Sequence, residues 1–271
     1  MPELPEVETV CRNLRPILIG RTICQIDSPN GYTRALKLPE DKSHMVGRSI
    51  LDVARRGKYI LLLLDNGGLL TCHLRMTGRL LSKAPEILTH VSGKIDFEDG
   101  GSLWFQDVRK FGRITWYESV ELFCKKTRIG IEPLSEDFTE IAFQHLLKQS
   151  HAKVKGFLLD QTKIAGLGNI YVDEALWSAE LHPLTKTNEI GIEQVRVLRE
   201  AIQTILRDSI ASHGTTFLSF YFDGGKSGNY RKMLKVFGRT GEACLRCGTM
   251  ILKIRVVQRG THYCPSCQIG S

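Results

Sequence analysis

Four cysteines near the C-terminus have the spacing of a metal site. Cys244 and Cys247 form one C-x2-C pair and Cys264 and Cys267 a second, with sixteen residues between the pairs. Thiolates hold a d10 dication tetrahedrally, and two such pairs at this separation are the pattern of one structural Zn2+. A pair of disulfides or a redox centre is the other use of the same residues, whereas iron–sulfur ligation usually adds a closely spaced third cysteine. The stretch between the pairs carries Ile251, Ile254 and Val256 ahead of Arg259-Gly260, which predicts a hairpin turning at Arg259-Gly260. Cys11, Cys24, Cys72 and Cys124 lie scattered among apolar neighbours and read as small buried hydrophobes.

The metal pattern sits in the most basic part of the chain. The 271 residues carry 37 Lys+Arg against 29 Asp+Glu, a net charge of +8. Residues 231–260 alone hold eight basic side chains against the single Glu242. Four thiolates and one dication lower that local balance by two, so a folded zinc module still presents clustered Arg and Lys. Such a block predicts a polyanion partner, nucleic acid first.

Composition excludes disorder and collagen-like repeats, since 42% of the residues are hydrophobic and no low-complexity tract occurs. The longest apolar run, 59–64, is far short of the roughly 18–20 residues of a membrane span. Glu3, Glu6 and Glu8 occupy the N-terminus where a secretory leader needs basic residues, so a cytoplasmic protein is expected, without a membrane partner.

These groups need elements to carry them. Val7, Val10, Cys11 and Leu14 recur at helical spacing behind Pro5, which predicts a helix that leaves residues 1–4 as an arm. From 20 to about 118 the texture is β, with runs at 59–64, 68–74, 95–98, 102–106 and 113–118 punctuated by Asp65-Asn-Gly-Gly and Asp99-Gly-Gly. Beyond 125 the period becomes helical, at 138–148, 154–161, 169–179 and 192–212. Ala165-Gly-Leu-Gly-Asn169 offers a glycine-flanked helix N-terminus suited to a phosphate. An α+β multidomain fold is expected: an N-terminal β-sandwich domain over 1–125, a linker at 126–136, a helical region over 137–230 and a zinc finger over 231–271.

Met1-Pro-Glu-Leu-Pro-Glu-Val-Glu-Thr-Val resembles the opening of the formamidopyrimidine-DNA glycosylase (Fpg) family of bacterial base-excision repair enzymes. The likeness continues through Arg56-Gly-Lys58-Tyr, His73-Leu-Arg-Met76-Thr-Gly, Asp107-Val-Arg109-Lys-Phe111-Gly, Ala165-Gly-Leu-Gly-Asn169-Ile-Tyr and Gln258-Arg259-Gly-Thr-His-Tyr-Cys-Pro-Ser-Cys. It implies a β-sandwich, a helix-two-turn-helix region and a zinc finger. It also implies an enzyme, acting as a monomer in the cytoplasm at the nucleoid, that excises 8-oxoguanine and formamidopyrimidines from duplex DNA and cuts the abasic strand by β,δ-elimination.

The roles follow from the same resemblance. Pro2 is the nucleophile once Met1 is removed, its secondary amine being nearer the α-amino pKa of about 8 than lysine's 10.4. Glu3 is the acid and Glu6 a supporting carboxylate. Lys58 and Arg259 reach phosphate and assist the eliminations. A buried base must be flipped out of the stack, and Met76, Arg109 and Phe111 match the side chains that fill the vacancy.

His73, His90, Arg109, Lys155 and Asn169 match positions at or near DNA phosphates. The loop 217–230 is expected to cover the flipped base. A lysine the family often carries before the Lys155 helix is replaced here by Ser150 or His151, which leaves its contact to Lys148 or Lys153. Leu4, in place of glycine, together with the Met76/Arg109/Phe111 set favours the purine-specific branch over the endonuclease VIII branch. A silent DNA-binding scaffold would not need Pro2 or Glu3, and an RNA-binding zinc ribbon leaves the N-terminal motif unexplained.

Overall fold

The structure, a computed structural model, describes residues 1–215 and 229–269. Two compact units divide the chain: Met1–Arg128 with His213–Asn229, and Ile129–Ser212 with Tyr230–Ser271.

The first unit opens with helix α1 (Leu4–Leu18), whose first turn contains a proline and the acidic Glu6. Nine strands follow: β1 (Ile23–Asp27), β2 (Leu36–Lys37), β3 (Ile50–Arg56), β4 (Tyr59–Leu64), β5 (Leu69–His73), β6 (Gly78–Leu81), β7 (Val91–Phe97), β8 (Ser102–Asp107) and β9 (Arg113–Tyr117). They form two sheets, ordered β1-β7-β8-β6 and β2-β9-β5-β4-β3. All pairings are antiparallel except β2 with β9. Helix α2 (Val120–Thr127) closes this part, capped by Ser119, whose side chain accepts from the Leu122 N–H.

One core joins the two sheets to α1. Ile23, Ile95 and Phe105 meet Val53, Leu62, Leu70 and Ile114, and the Val7, Val10, Leu14 and Leu18 stripe of α1 lies in the same cluster. Each such side chain contributes about 1.5–3 kcal/mol by leaving water. That burial orients α1 and hence its N-terminal residues.

The predicted strands are present, and the run expected at 95–98 extends back to Val91. Strands β1, β2, β3 and β6 lack clear two-residue alternation and escape sequence reading. In β1 the register shifts between Ile23 and Gln25, so both Ile23 and Ile26 turn inward while Cys24 faces out. Cys24 is therefore exposed and Cys124 half-buried, contrary to expectation; Cys11 and Cys72 are buried, and burial pushes the Cys11 thiol up to about 12.

The second unit comprises α3 (Glu140–Lys148), α4 (Val154–Leu159), α5 (Asn169–Ser178), α6 (Ile192–Ala211) and the hairpin β10 (Leu252–Val256) and β11 (Arg259–Tyr263). The cysteine module is not a separate body. Trp177 of α5 packs against Val236, Cys244, Ile251 and Cys264. The buried Glu174 of α5 accepts the N–H groups of Lys235, Val236 and Phe237 at 2.8, 2.9 and 2.8 Å.

His213–Thr215 and Asn229 group with the first unit. Thr215 N–H donates to Glu6 Oε1 at 2.7 Å, and Thr215 bridges to Asn229, so this segment returns to the N-terminal end of α1. Residues 217–228 of the expected base-covering loop lie outside the described residues. Among the described residues no helix is long and apolar enough to cross a membrane.

Candidate active site and metal centre

Helix α1 runs alongside β3, and their bonds advance in step. Arg15 donates to Val53 O (2.7 Å) and Asp52 Oδ1 (3.0 Å), Cys11 Sγ to Ala54 O (3.3 Å), and Arg55 Nε to Glu8 Oε2 (3.0 Å). Seven helical residues at ~1.5 Å match three strand residues at ~3.3 Å, each ~10 Å. The same progression directs the N-terminal end of α1 toward the Gly57-Lys58 turn that joins β3 to β4. Gly57 has φ +56°, a conformation glycine adopts without penalty.

Pro2 is buried, and so are the ionisable Glu3, Glu6 and Lys58, side chains that are rarely buried without partners. Glu6 divides its carboxylate between two backbone donors, Glu3 N–H to Oε2 at 2.8 Å and Thr215 N–H to Oε1 at 2.7 Å. It thereby fixes the backbone carrying Glu3 and anchors the segment returning from residue 213. Gly214, at φ +81°, passes so close that a Cβ there would stand 3.0 Å from Glu6 Oε1.

His73 ends β5 opposite Tyr59, the residue after Lys58, with its ring edge-on to Tyr59 at 4.6 Å. Its Nδ1 accepts from the Arg75 N–H at 3.1 Å. Burial first, then the cationic Arg75 and Lys58, hold its pKa down to about 3. The ring is thus a neutral imidazole at physiological pH, able to donate from Nε2.

Because the folded pKa lies below the unfolded value, this stabilisation is complete above about pH 6.5 and is lost as pH falls toward 3, at about 1.4 kcal/mol per unit. His73→Gln is expected to flatten the acid side of a Tm–pH curve. His182, also lowered by burial, shares that window but is common to both proteins. Parallel curves for native and variant would contradict the assignment.

Met76, Arg109 and Phe111 come together at one end of the sandwich, Met76 on the β5–β6 turn and the other two on the β8–β9 turn. Met76 and Phe111 are 39% and 52% exposed on these short turns. The Arg109 guanidinium lies 5.0 Å over the Phe111 ring. His90 closes a short 3-10 turn, Leu88–His90, ahead of β7.

In the second unit the sulfur atoms of Cys244, Cys247, Cys264 and Cys267 lie within 4.8 Å of one another. Cys244 and Cys267 are 3.9 Å apart, and Cys247 and Cys264 3.4 Å. A tetrahedral zinc with Zn–S of ~2.3 Å needs sulfurs ~3.8 Å apart, so the four thiolates fit one Zn2+. Trp177 Nε1–H and the Arg246 N–H approach Cys244 Sγ at 3.4 and 3.5 Å, donors of the kind that stabilise a metal-bound thiolate.

The hairpin that this centre supports turns at Val257-Gln258, one step earlier than expected, with φ +43° and +61° and Val256 paired to Arg259. Val257-Gln258 carries none of the usual signals for a turn with two positive φ values. Tertiary contacts hold it: the Gly260 carbonyl accepts from Asn169 Nδ2 (2.9 Å) and Lys155 Nζ (3.3 Å). Asp173 of α5 accepts from Lys155 Nζ at 2.6 Å and from the His262 N–H at 2.9 Å. Arg259, next to the turn, is exposed.

Lys155 is fully buried, so its ammonium reaches the hairpin and Asp173 rather than solvent. Asn169 opens α5, whose N-cap Gly168 brings no capping side chain. Of the two lysines near the substituted Ser150 and His151, Lys148 is engaged by the Asn188 and Ile190 carbonyls, and Lys153 stands exposed at the N-cap of α4. Sequence reading missed Asp107, Asp173 and Glu174, buried carboxylates that each accept from donors on another segment; only their place inside quoted motifs or beside Asn169 hinted at them.

Models of known protein families match three stretches of the chain. The formamidopyrimidine-DNA glycosylase N-terminal domain matches residues 1–114, the H2TH domain of the same glycosylase 129–220, and the zinc finger found in FPG and IleRS 241–269. A formamidopyrimidine-DNA glycosylase of Chloroflexus aggregans is 43% identical over 274 residues, covering 99% of both chains. The chain belongs to the formamidopyrimidine-DNA glycosylase family.

The Fpg protein of Thermus thermophilus superposes with a TM-score of 0.89 at 36% identity over the whole of both chains. A variant of Lactococcus lactis Fpg, in complex with DNA containing Fapy-dG, does so at 0.88 with 40% identity, covering 99% of this chain and all of that one. This Fpg-family chain is thus a DNA glycosylase and abasic-site lyase with one structural zinc.

Proposed function

We propose that the chain excises oxidised purines, 8-oxoguanine and formamidopyrimidines, from duplex DNA with Pro2 as nucleophile and then cleaves the abasic strand. The observation that carries this reading is the buried Pro2-Glu3 arm at the head of α1, held by Glu6.

With Met1 removed, the Pro2 nitrogen attacks sugar C1′. The C1′–base bond breaks and its electron pair leaves with the base, which takes up a proton. Glu3 protonates the sugar ring oxygen as that ring opens, and a proline iminium remains. The iminium acidifies C2′, so loss of a C2′ proton expels the 3′ phosphate. A second elimination across C4′ and C5′ expels the 5′ phosphate, and hydrolysis frees Pro2. Lys58 and Arg259 meet the phosphates. His73, with a proton on Nε2, Asn169 and His90 are further phosphate contacts, whereas Lys155 supports the Gly260 turn from within.

Met76, Arg109 and Phe111 enter the space left by the flipped base, which offsets unstacking of a few kcal/mol per step. The four thiolates hold Zn2+ and supply rigidity, not chemistry, to Arg259. The enzyme is proposed to act as a monomer on damaged duplex in the bacterial cytoplasm, at the nucleoid.

Borohydride reduction tests the central step. Incubated with an 8-oxoguanine duplex, the protein is expected to form one covalent adduct whose N-terminal peptide lacks Met1 and carries the mass at Pro2. Active protein that retains Met1, or activity without adduct, contradicts the reading.

A further inference from the structure

The two turns that carry Met76 and the Arg109/Phe111 pair are separate in sequence but share one buried group. Asp107 ends β8, is 1% exposed, and pairs in register with Gly78 at the start of β6. Its Oδ1 accepts from the Thr77 hydroxyl at 2.5 Å and from the Arg109 N–H at 3.2 Å, while Oδ2 accepts from the Gly112 N–H at 2.6 Å. The Arg109 N–H also lies 3.2 Å from Thr77 Oγ1, so a triangle of bonds links the two turns.

The surroundings leave little freedom. A Cβ on Gly112 would fall 2.3 Å from Phe105 Cζ and 3.1 Å from Asp107 Oδ2, and one on Gly78 would fall 2.4 Å from the Leu74 carbonyl oxygen. Arg75 and Lys110 adopt φ of +55° and +57°, conformations that non-glycine residues hold only when neighbouring bonds enforce them. The chain thus adopts strained turns on both sides of one carboxylate, and the exposed Met76, Arg109 and Phe111 project from them.

We propose that Asp107 is a positioning residue that, through Thr77, locks the two turns into a single wedge, and that this lock sets how the enzyme discriminates the base opposite the lesion. The proposal rests on the void-filling role given above to Met76, Arg109 and Phe111. The physical basis is register. Arg109 can read the unpaired base only if its backbone is fixed relative to Met76 and Phe111, and a hydrogen bond strained by ~1 Å is enough to lose that alignment.

Asp107 has acceptors for every donor that faces it. An amide in its place would turn one NH2 group toward the Thr77 hydroxyl and Arg109 N–H or toward the Gly112 N–H, a donor against a donor.

The test compares the native chain with Asp107→Asn, Thr77→Val and Thr77→Ser, each checked for unchanged thermal unfolding. One readout is single-turnover excision of 8-oxoguanine opposite cytosine and opposite adenine. A second is the fluorescence of 2-aminopurine placed opposite a stable abasic analogue, which reports insertion of the wedge without any chemistry.

Asp107→Asn and Thr77→Val are expected to reduce the ratio of the two excision rates at least fivefold and to slow the fluorescence change about tenfold. Thr77→Ser, which keeps the hydroxyl, is expected to stay within twofold of native. If Asp107→Asn fails to fold, the Thr77 pair still decides, since Thr77→Val exchanges the hydroxyl for a methyl whereas Thr77→Ser keeps the hydroxyl on this half-buried turn.

A Thr77→Val protein that matches native in both readouts overturns the proposal, as does a Thr77→Ser protein as impaired as Thr77→Val. A native chain that inserts its wedge but removes no 8-oxoguanine overturns the proposed substrate while the fluorescence series still judges the lock.

Discussion

Glu3→Gln is expected to lower excision of 8-oxoguanine by roughly 10²–10⁴-fold, the range a positioned general acid contributes, while incision of a duplex that already contains an abasic site falls far less. The difference follows from the bonds involved. Releasing a base from an intact nucleoside requires the C1′–base bond to break and the ring oxygen to take up a proton, and both steps need an acid beside Pro2.

A preformed abasic site is already in equilibrium with its open aldehyde, with which the proposed Pro2 amine would condense directly. Glutamine preserves the shape and one acceptor oxygen at the helix start, so α1 is expected to keep its place. Equal losses on the two substrates, measured in single turnover, would mean that Glu3 acts in forming the iminium and not in opening the glycosidic bond.

The second large effect comes from the metal. Stripping zinc with a chelator, or replacing the buried Cys264 with alanine, is expected to abolish tight duplex binding and to raise Trp177 emission or shift its wavelength. Structural zinc in small peptides contributes about 10–16 kcal/mol of apparent folding free energy at neutral pH, more than any contact of the hairpin with α5.

Trp177 donates to Cys244 Sγ and stacks under Arg246 at 4.3 Å, which makes it a local reporter. The Glu174 and Asp173 bonds to this region should retain part of its packing, so the far-ultraviolet signal of α3 to α6 is expected to persist while binding is lost. Arg259→Ala, which removes only the phosphate contact proposed for that side chain, should weaken binding by much less. Unchanged affinity in metal-free protein would show that the hairpin is held by α5 alone.

Much of the chemistry was legible before any coordinates. The cysteine pairs declare a four-thiolate site because a tetrahedral dication demands that spacing, and the family motifs name Pro2, Glu3, Lys58 and Arg259. Elements with strong periodicity followed: α1 from its apolar stripe and α6 from Val195, Leu198, Ile202 and Leu206. Strands β1, β3 and β6 did not, because a bulge, an edge position or a length of four residues removes the alternation that makes a strand readable.

Side-chain roles were harder still. Lys155 resembles a surface cation in sequence, yet its ammonium lies between Asp173 and the Gly260 carbonyl. Cys24 resembles its buried namesakes, yet β1 turns it outward.

The sequence by itself thus determined the metal ligands and named the candidate reactive groups, because each depends on residue type and short spacing. Only the tertiary structure decided which carboxylate holds which donor. Glu6 joins residues 3 and 215, Asp107 joins 77 and 112, and Asp173 joins 155 and 262. Those bonds form when a buried polar group must find a partner that the packing brings from elsewhere in the chain, and no local pattern records which partner that will be.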